Sequence, residues 1–460
     1  MSEPGHDTRL LPALVYAALS TAIVSSLGML LVPTISAEFQ VTVSTAQWML
    51  TINLLVGAVV TPVMGRLSDG PHKKRLLVGA LIIILVGSVV AALSTNFSVF
   101  LIGRALQGFS YGIVPMTIAL ARRYLPAEKS TRGIASLSVT VSTGMGIGYP
   151  LTGIVAGRLD YQFAFWFAAV FVVSAMIVVI LAVPSGPDDQ APRARFDVPG
   201  ATVLAFGLAA LLLGVSEGET WGWSAPPTLS CFAVTVVLLT AWVLLELKVT
   251  QPLINLRVLR SPDALVANLS AITLGTVMYM VLSIGSIIAQ APEDTGYGIA
   301  LPVFWAGFVM LPFSVGSFTA NRIVRHLAKR IQMTTLLPLG ASLVTVASLL
   351  LLFAHNQLWE ILLGMFFVGM GVGTTYAAMP ALIARTVATD ELGSAVSFNQ
   401  VLRTVGGSFG SAISGAVLAA HLGLDGQPTS NGIFVALAVS AIGCAAVLIG
   451  LLLDRARGAR

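Results

Sequence analysis

Long apolar runs alternate with short polar stretches along the whole chain. Fourteen can be read, at 10–35, 47–64, 76–95, 97–120, 133–157, 162–184, 198–216, 227–247, 264–289, 299–320, 332–354, 357–382, 393–420 and 432–454. Most approach or exceed the roughly 20 apolar residues that carry a helix across the hydrocarbon core of a bilayer. Lipid offers no partner to a backbone N–H or C=O, so each run must satisfy its own groups as a helix. Several runs contain Gly and Pro, which membrane helices tolerate better than soluble ones. The pattern predicts an all-α integral membrane protein with 14 transmembrane helices.

The polar stretches fix an orientation. With the N-terminus placed inside and the loops alternating, 22 of the 25 Lys and Arg residues fall on the inner side. Arg158 falls outside, and Arg104 and Arg403 lie within runs. Cytoplasmic loops carry an excess of Lys and Arg, so the N- and C-termini are both expected in the cytoplasm. Trp48, Trp221, Trp223 and Trp359 lie near expected outer ends, where amphipathic rings favour the interface. The connector Ser185–Pro199, with Pro187, Pro192 and Pro199, reads as a cytoplasmic linker after six helices.

The halves repeat. Lys74-Arg75 matches Lys329-Arg330 at an offset of 255. Gly103, Gly108 and Gly112 match Gly364, Gly369 and Gly373 at 261, and Gly133, Ala135 and Gly146 match Gly393, Ala395 and Gly406 at 260. The order is the same in both, so the repeat is parallel, as in carriers with a central site between two halves. The expected arrangement is 6+2+6: a first bundle over 1–184, a linker and two additional helices over 185–262, and a second bundle over 263–460.

Composition narrows the function classes. The chain is 56% hydrophobic and 10% charged, with a mean hydropathy of +0.90. About a quarter of residues are charged in a soluble domain, so the lipid bilayer is the expected surroundings. The net charge of +5 is spread over many loops without an aromatic-interleaved stripe, so no nucleic-acid partner is expected. Cys231 and Cys444 both sit in apolar runs, so neither a disulfide framework nor a metal-ligand cluster is expected, and no cofactor. Met1–Thr8 is polar and partly acidic, unlike a cleaved signal.

Four stretches carry candidate chemistry. Gly65–Arg75 is a knot of charge between two apolar runs. Gly65 permits close helix approach. Asp69 can pair with a cation, with Arg122 or Arg123 best placed, or meet a helix N-terminus, with Gly393 best placed. A contact of this kind between halves would act as a gate, made in one access state and broken in the other. In 97–120, Arg104 and Gln107 share a helix face; an intramembrane charge reads as functional, here facing a cavity, unless it snorkels to the interface. In 133–157, Gly144, Gly146, Gly148, Gly153 and Gly157 give smooth faces, and Pro150 favours a bend in a helix that rocks against the other half. In 393–420, Asn399 and Arg403 are four residues apart on one face. They line an inner vestibule, or Arg403 snorkels. Asn53, Thr140, Asn268, Tyr279, Thr374 and Tyr376 are scattered polar positions in runs.

Together these stretches resemble the major facilitator superfamily. Gly65–Arg75 is similar to its cytoplasmic-hairpin motif, Leu101–Gly108 to its fourth-helix motif, and Gly144–Gly157 to the fifth-helix motif associated with antiporters. The 6+2+6 arrangement, with Leu213–Trp223 and Pro252–Arg257, resembles the fourteen-helix drug:proton antiporter branch. The resemblance implies two six-helix bundles around a central cavity and export of a small amphipathic substrate in exchange for protons. It implies that Asp69 is a state-dependent gate flanked by Arg75, that Arg104 takes part in proton transfer, and that Pro150 shapes the helix of exchange.

Two positions depart from the family pattern. Val24 stands where the branch has an acidic residue nine positions before its Pro, here Pro33, and Tyr149 stands where Gly precedes the fifth-helix Pro. Asp160, Glu217, Glu219, Glu246, Glu360, Asp390 and Glu391 all lie at run ends or in loops, and the five His residues lie outside the runs or at their margins. Proton antiport needs a titratable carrier that meets both sides. Either a run-end acid such as Glu217 serves, or coupling is weak, absent or to another ion. The expected cavity is largely apolar, with Asn53, Arg104, Gln107, Tyr149, Asn399 and Arg403 as polar contacts and neutral or anionic substrates. A membrane enzyme would need a nucleophile, His or carboxylate cluster at one face, and none is visible. A non-transporting sensor or assembly protein that kept the fold is the other rival. Arg outnumbers Lys 20 to 5, which suits a GC-rich bacterial genome and a bacterial inner membrane.

Overall fold

The structure, a computed structural model, describes residues 6–28, 31–41, 43–158, 160–184, 196–327, 333–388, 391–423 and 428–458. The first run forms α1 (His6–Ser26) and, after a break, the short α2 (Val32–Glu38). α3 (Val43–Asp69) and α4 (Lys73–Leu93) make a hairpin. The fourth passage is α5 (Phe97–Gln107), a 3-10 turn at Gly108–Gly112, and α6 (Ile113–Tyr124). α7 (Ala127–Arg158), α8 (Tyr161–Ala182), α9 (Val198–Trp221), α10 (Pro226–Lys248) and α11 (Pro262–Gln290) follow. The next passage is split into α12 (Val303–Phe308) and α13 (Leu311–Leu327). α14 (Met333–Phe353), α15 (Leu358–Thr386), α16 (Leu392–Ala419) and α17 (Ser430–Gly458) complete the chain. Among the described residues the only β pairing is one isolated bridge, Leu422 to Pro428.

Twelve helices among the described residues are long and apolar enough to cross a membrane. They correspond to twelve of the fourteen expected runs. The run 133–157 forms the continuous α7, 32 residues long, which is length enough to cross a bilayer. The run 299–320 is broken between Phe308 and Leu311, and Pro312 falls in the first turn of α13, where its missing N–H costs nothing. The run 10–35 is likewise not one helix. Gly28 takes φ +139°, which suits a residue without Cβ, and α2 restarts with Pro33 in its first turn. The stretch Gly65–Asp69 is helical rather than loop, because α3 continues to Asp69 and the turn shrinks to Gly70–His72. Lys329, Arg330, Asp390 and residues 185–195 of the connector lie outside the described residues.

Packing repeats along with sequence. α1 packs on α7 and α4 on both α5 and α8; correspondingly, α11 packs on α16 and α14 on both α15 and α17. The matched glycines sit at matched crossings. A methyl on Gly103 would meet Ala91 of α4, and one on Gly108 or Gly112 would meet Val56 or Met64 of α3. In the second half Gly364 meets Leu351 of α14, and Gly369 and Gly373 meet Phe313 and Ser317 of α13. Small residues let such helices approach closely. Between the halves α3 crosses α16, and α7 packs on α12, α13 and α15, while α9 and α10 pair with one another and α9 rests on α3 and α16. The outward faces carry exposed apolar side chains such as Val170, Val236, Phe353 and Ile442, as a lipid-facing surface does.

Candidate functional site

The halves meet closely at one end. Asp69, the last residue of α3, is 4% exposed, and both carboxylate oxygens are engaged by the first turn of α16. Oδ1 accepts from the Gly393 N–H at 2.7 Å, and Oδ2 from the Ser394 N–H at 3.0 Å. A helix N-terminus presents unpaired N–H groups and positive partial charge, so a carboxylate there is doubly favoured. The backbones fit only because both sides are small. A methyl on Gly65 would fall 2.7 Å from the Gly393 carbonyl oxygen, and one on Gly393 would fall 2.7 Å from the Gly65 carbonyl oxygen. Of the partners expected for Asp69, the helix terminus at Gly393 is the one it contacts. Arg122 and Arg123 lie half-buried in the last turn of α6, and Arg75 is exposed in the first turn of α4.

The opposite end is open between the halves. A cavity of about 590 Å³ extends from Tyr111, Tyr149 and Tyr279 at mid-bundle to Leu422, which is 53% exposed. Most of its lining is apolar or hydroxyl-bearing. Among the described residues no Asp or Glu lines it, and Arg104 is the one cation in its wall. Below it, a void of about 30 Å³ is lined by Ser110, Tyr111, Tyr376, Gln400 and Arg403 among others.

The expected polar contacts divide between wall and interior. Asn53 and Tyr149 line the large cavity, although both are nearly fully buried. Arg104 also contributes to the wall but is 0% exposed. Its Nε donates to the Met49 carbonyl at 3.1 Å and its Nη1 to Gln107 Oε1 at 2.6 Å. Gln107 in turn donates to Ser88 Oγ at 2.8 Å, tying α5 to α4 behind the wall. Arg104 therefore does not snorkel. Neither does Arg403, which is 3% exposed. Its Nε and Nη2 donate to Asn399 Oδ1 at 3.1 and 2.8 Å, its Nη1 reaches Ser138 Oγ of α7 at 3.3 Å, and its guanidinium lies 4.2 Å from the Tyr376 ring centre. Asn399 donates to Asn268 Oδ1 at 3.0 Å and to the Ala267 carbonyl at 3.2 Å. Asn399 and Arg403 are thus a buried tie between α11, α16 and α7, where an open vestibule or a snorkelling side chain was expected.

α7 uses its glycines on two sides. Gly144 and Gly148 face Ala22 and Ser26 of α1, and Gly146 faces Ser314 of α13, whose hydroxyl donates to the Thr143 carbonyl. Pro150 and Gly153 are buried farther along the same helix. Glu217 is partly buried near the end of α9; its neighbours Val215 and Ser216 line the cavity, and it does not. The side chain of Glu219 lies outside the described residues. Val24 is fully buried. Tyr111 is a central residue that the sequence did not single out, although Arg104, Gln107 and Tyr111 fall at the i, i+3, i+7 spacing of one helix face. With Tyr279 of the other half it lines both the large cavity and the void below it.

Comparison with known proteins adds the ancestry. The Major Facilitator Superfamily model matches residues 13–411. An uncharacterised MFS-type transporter of Mycobacterium tuberculosis is 28% identical over 410 residues, 88% of this chain and 58% of that protein. The chain thus spans somewhat more than half the length of that relative. The probable multidrug resistance protein EmrY of Escherichia coli is 23% identical over 421 residues, 87% of this chain and 78% of that one. The multidrug resistance protein Stp of M. tuberculosis is 24% identical over 400 residues, 86% and 73%. The human organic anion transporter MFSD10 superposes with a TM-score of 0.67 at 15% identity, over 98% of this chain and 100% of that one, a likeness of fold.

Proposed function

The chain belongs to the major facilitator superfamily, and from that membership we propose that it exports small amphipathic molecules by alternating access across a bacterial inner membrane. In this reading fourteen helices are arranged 6+2+6, with bundles at 1–184 and 263–460, the linker and additional helices at 185–262, and both termini cytoplasmic. The excess of Lys and Arg at the Asp69 end supports placing that end in the cytoplasm. One observation carries the proposal: Asp69 closes the two halves on the α16 N-terminus while a 590 Å³ cavity reaches the other face. The molecule is then in its outward-facing state, and Gly65, Asp69 and the nearby cations Arg75, Arg122 and Arg123 form the cytoplasmic gate. Asn53, Arg104 and Tyr149 belong to the cavity wall, Gln107, Asn399 and Arg403 hold that wall in place, and Gly146, Pro150 and Gly153 let α7 rock.

Multidrug resistance is named for two relatives, and drug-like substrates fit a cavity of that volume and apolar character. With an Arg in the wall and no acid among the described lining residues, neutral or anionic substrates are favoured. Export in exchange for protons is the first reading of the coupling, with Glu217 as a carrier. The same lack of a lining carboxylate supports a second reading, a facilitative or differently coupled carrier. Substrate flux in proteoliposomes with and without an imposed pH gradient separates them. Antiport predicts flux driven by the gradient; equal flux in both cases leaves the carrier and removes the coupling. A non-transporting sensor would give no flux in either.

A further inference from the structure

The α16 N-terminus that Asp69 occupies has a second carboxylate beside it. Glu391 is the N-cap residue of α16, and Gly393 and Ser394 are the second and third residues of the helix. An N-cap side chain ordinarily accepts from one or other of those N–H groups. Here both are taken by Asp69, and Glu391 makes no capping bond to its own helix. Its Oε1 instead accepts from Asn255 Nδ2 at 3.0 Å. Asn255 belongs to Pro252–Arg257, the connector between α10 and α11, which the transport reading leaves without a task.

The connector is built to hold Asn255 still. Leu253 and Ile254 are 0% and 1% exposed, so the segment is pinned by apolar side chains. Glu246 of α10 is buried and accepts from Trp242 Nε1 at 2.9 Å and from the Ile254 N–H at 3.4 Å. Arg257 donates to the Leu247 carbonyl at the end of α10. Trp242 also packs against Phe398 of α16, ring centres 6.1 Å apart.

We propose that Asn255 is a positioning residue of the gate: it holds the Glu391 carboxylate off its own helix terminus, leaving the Gly393 and Ser394 N–H groups to Asp69. Glu391 is the competing cap, and it takes those N–H groups when α16 leaves Asp69. One terminus then serves two carboxylates in turn, and the two additional helices bias the exchange through the connector. The proposal rests on the reading of Asp69 as a gate.

The test separates the two. In full-length protein with Cys231→Ser and Cys444→Ser, a reporter is placed by Ser397→Cys, a buried position under Gly65. The alkylation rate by a membrane-impermeant maleimide is read in lipid nanodiscs. Asp69→Asn raises the rate if Asp69 is the gate; an unchanged rate removes the gate and this proposal together. Asn255→Ala should raise the rate about fivefold, the equilibrium factor of one N-cap interaction. Glu391→Ala decides: it should leave the rate at or below that of the parent and cancel the effect of Asn255→Ala in the double variant. If Glu391→Ala raises the rate as Asn255→Ala does, the bond is a strut and the competition is overturned, with the gate intact.

Discussion

Both buried guanidinium groups are held by neutral oxygens, and this decides what their substitution should do. Arg403 gives Asn399 Oδ1 two donors while reaching Ser138 and stacking on Tyr376. Lysine keeps the charge but lacks the planar fork. Arg403→Lys is therefore expected to destabilise the purified protein by about 1–3 kcal/mol, the usual cost of leaving a buried acceptor unpaired. Thermal denaturation in detergent measures it. Asn399→Ala should cost a similar amount, and the double variant much less than the sum, because both remove one contact. That Arg403 and Asn399 share a face was legible from their spacing. Their partners on α7 and α11 were not, because a cross-helix hydrogen bond depends on how each helix is rotated. Asp69 was more legible: a carboxylate in so apolar a chain needs concentrated donors, and the repeat singled out Gly393 at the start of a helix. Asn255 and Glu391 read as two loop residues, since nothing in one-dimensional order brings a connector to a distant helix cap.

The elements followed the hydrophobic pattern except where Gly and Pro interrupt a run without making it polar. Gly28 ends the first helix early, and Pro312 restarts α13. Membrane helices tolerate both residues, so the sequence marked neither as a break. α7 is the element on which the rocking account depends most. A methyl on Gly146 would lie 3.0 Å from Ser314 Cβ and closer to its hydroxyl. Gly146→Val should therefore separate α7 from α13 and lower substrate flux at least tenfold, about 1.4 kcal/mol or more by the cost of overpacking, with membrane insertion unchanged. Gly79 of α4 is the control, since a methyl there meets nothing within 4 Å. Gly79→Ala should leave flux in proteoliposomes at the parent level, and a loss there as large as at Gly146 would mean that general glycine content, not the α7–α13 crossing, is being measured.

At the scale of the molecule, parallel repetition appears twice, as glycine register in the sequence and as matched crossings of α4, α5 and α8 with α14, α15 and α17 in the fold. The symmetry stops at the closed end. Asp69 of α3 falls on Val324 of α13 at the offset of 255, so one half supplies the carboxylate and the other the helix terminus. Such an asymmetric closure is weak enough to break in each cycle: two charge-assisted hydrogen bonds are worth about 1.5–3 kcal/mol each, on the scale of a conformational equilibrium rather than of a fold. Asparagine at this position keeps one acceptor oxygen and loses the charge that the helix terminus attracts. The most direct test is substrate flux by Asp69→Asn in proteoliposomes, with insertion and protein content matched to the parent. The expected result is normal insertion with flux reduced about tenfold or more, the factor that 1.4 kcal/mol gives; flux equal to the parent would contradict the account.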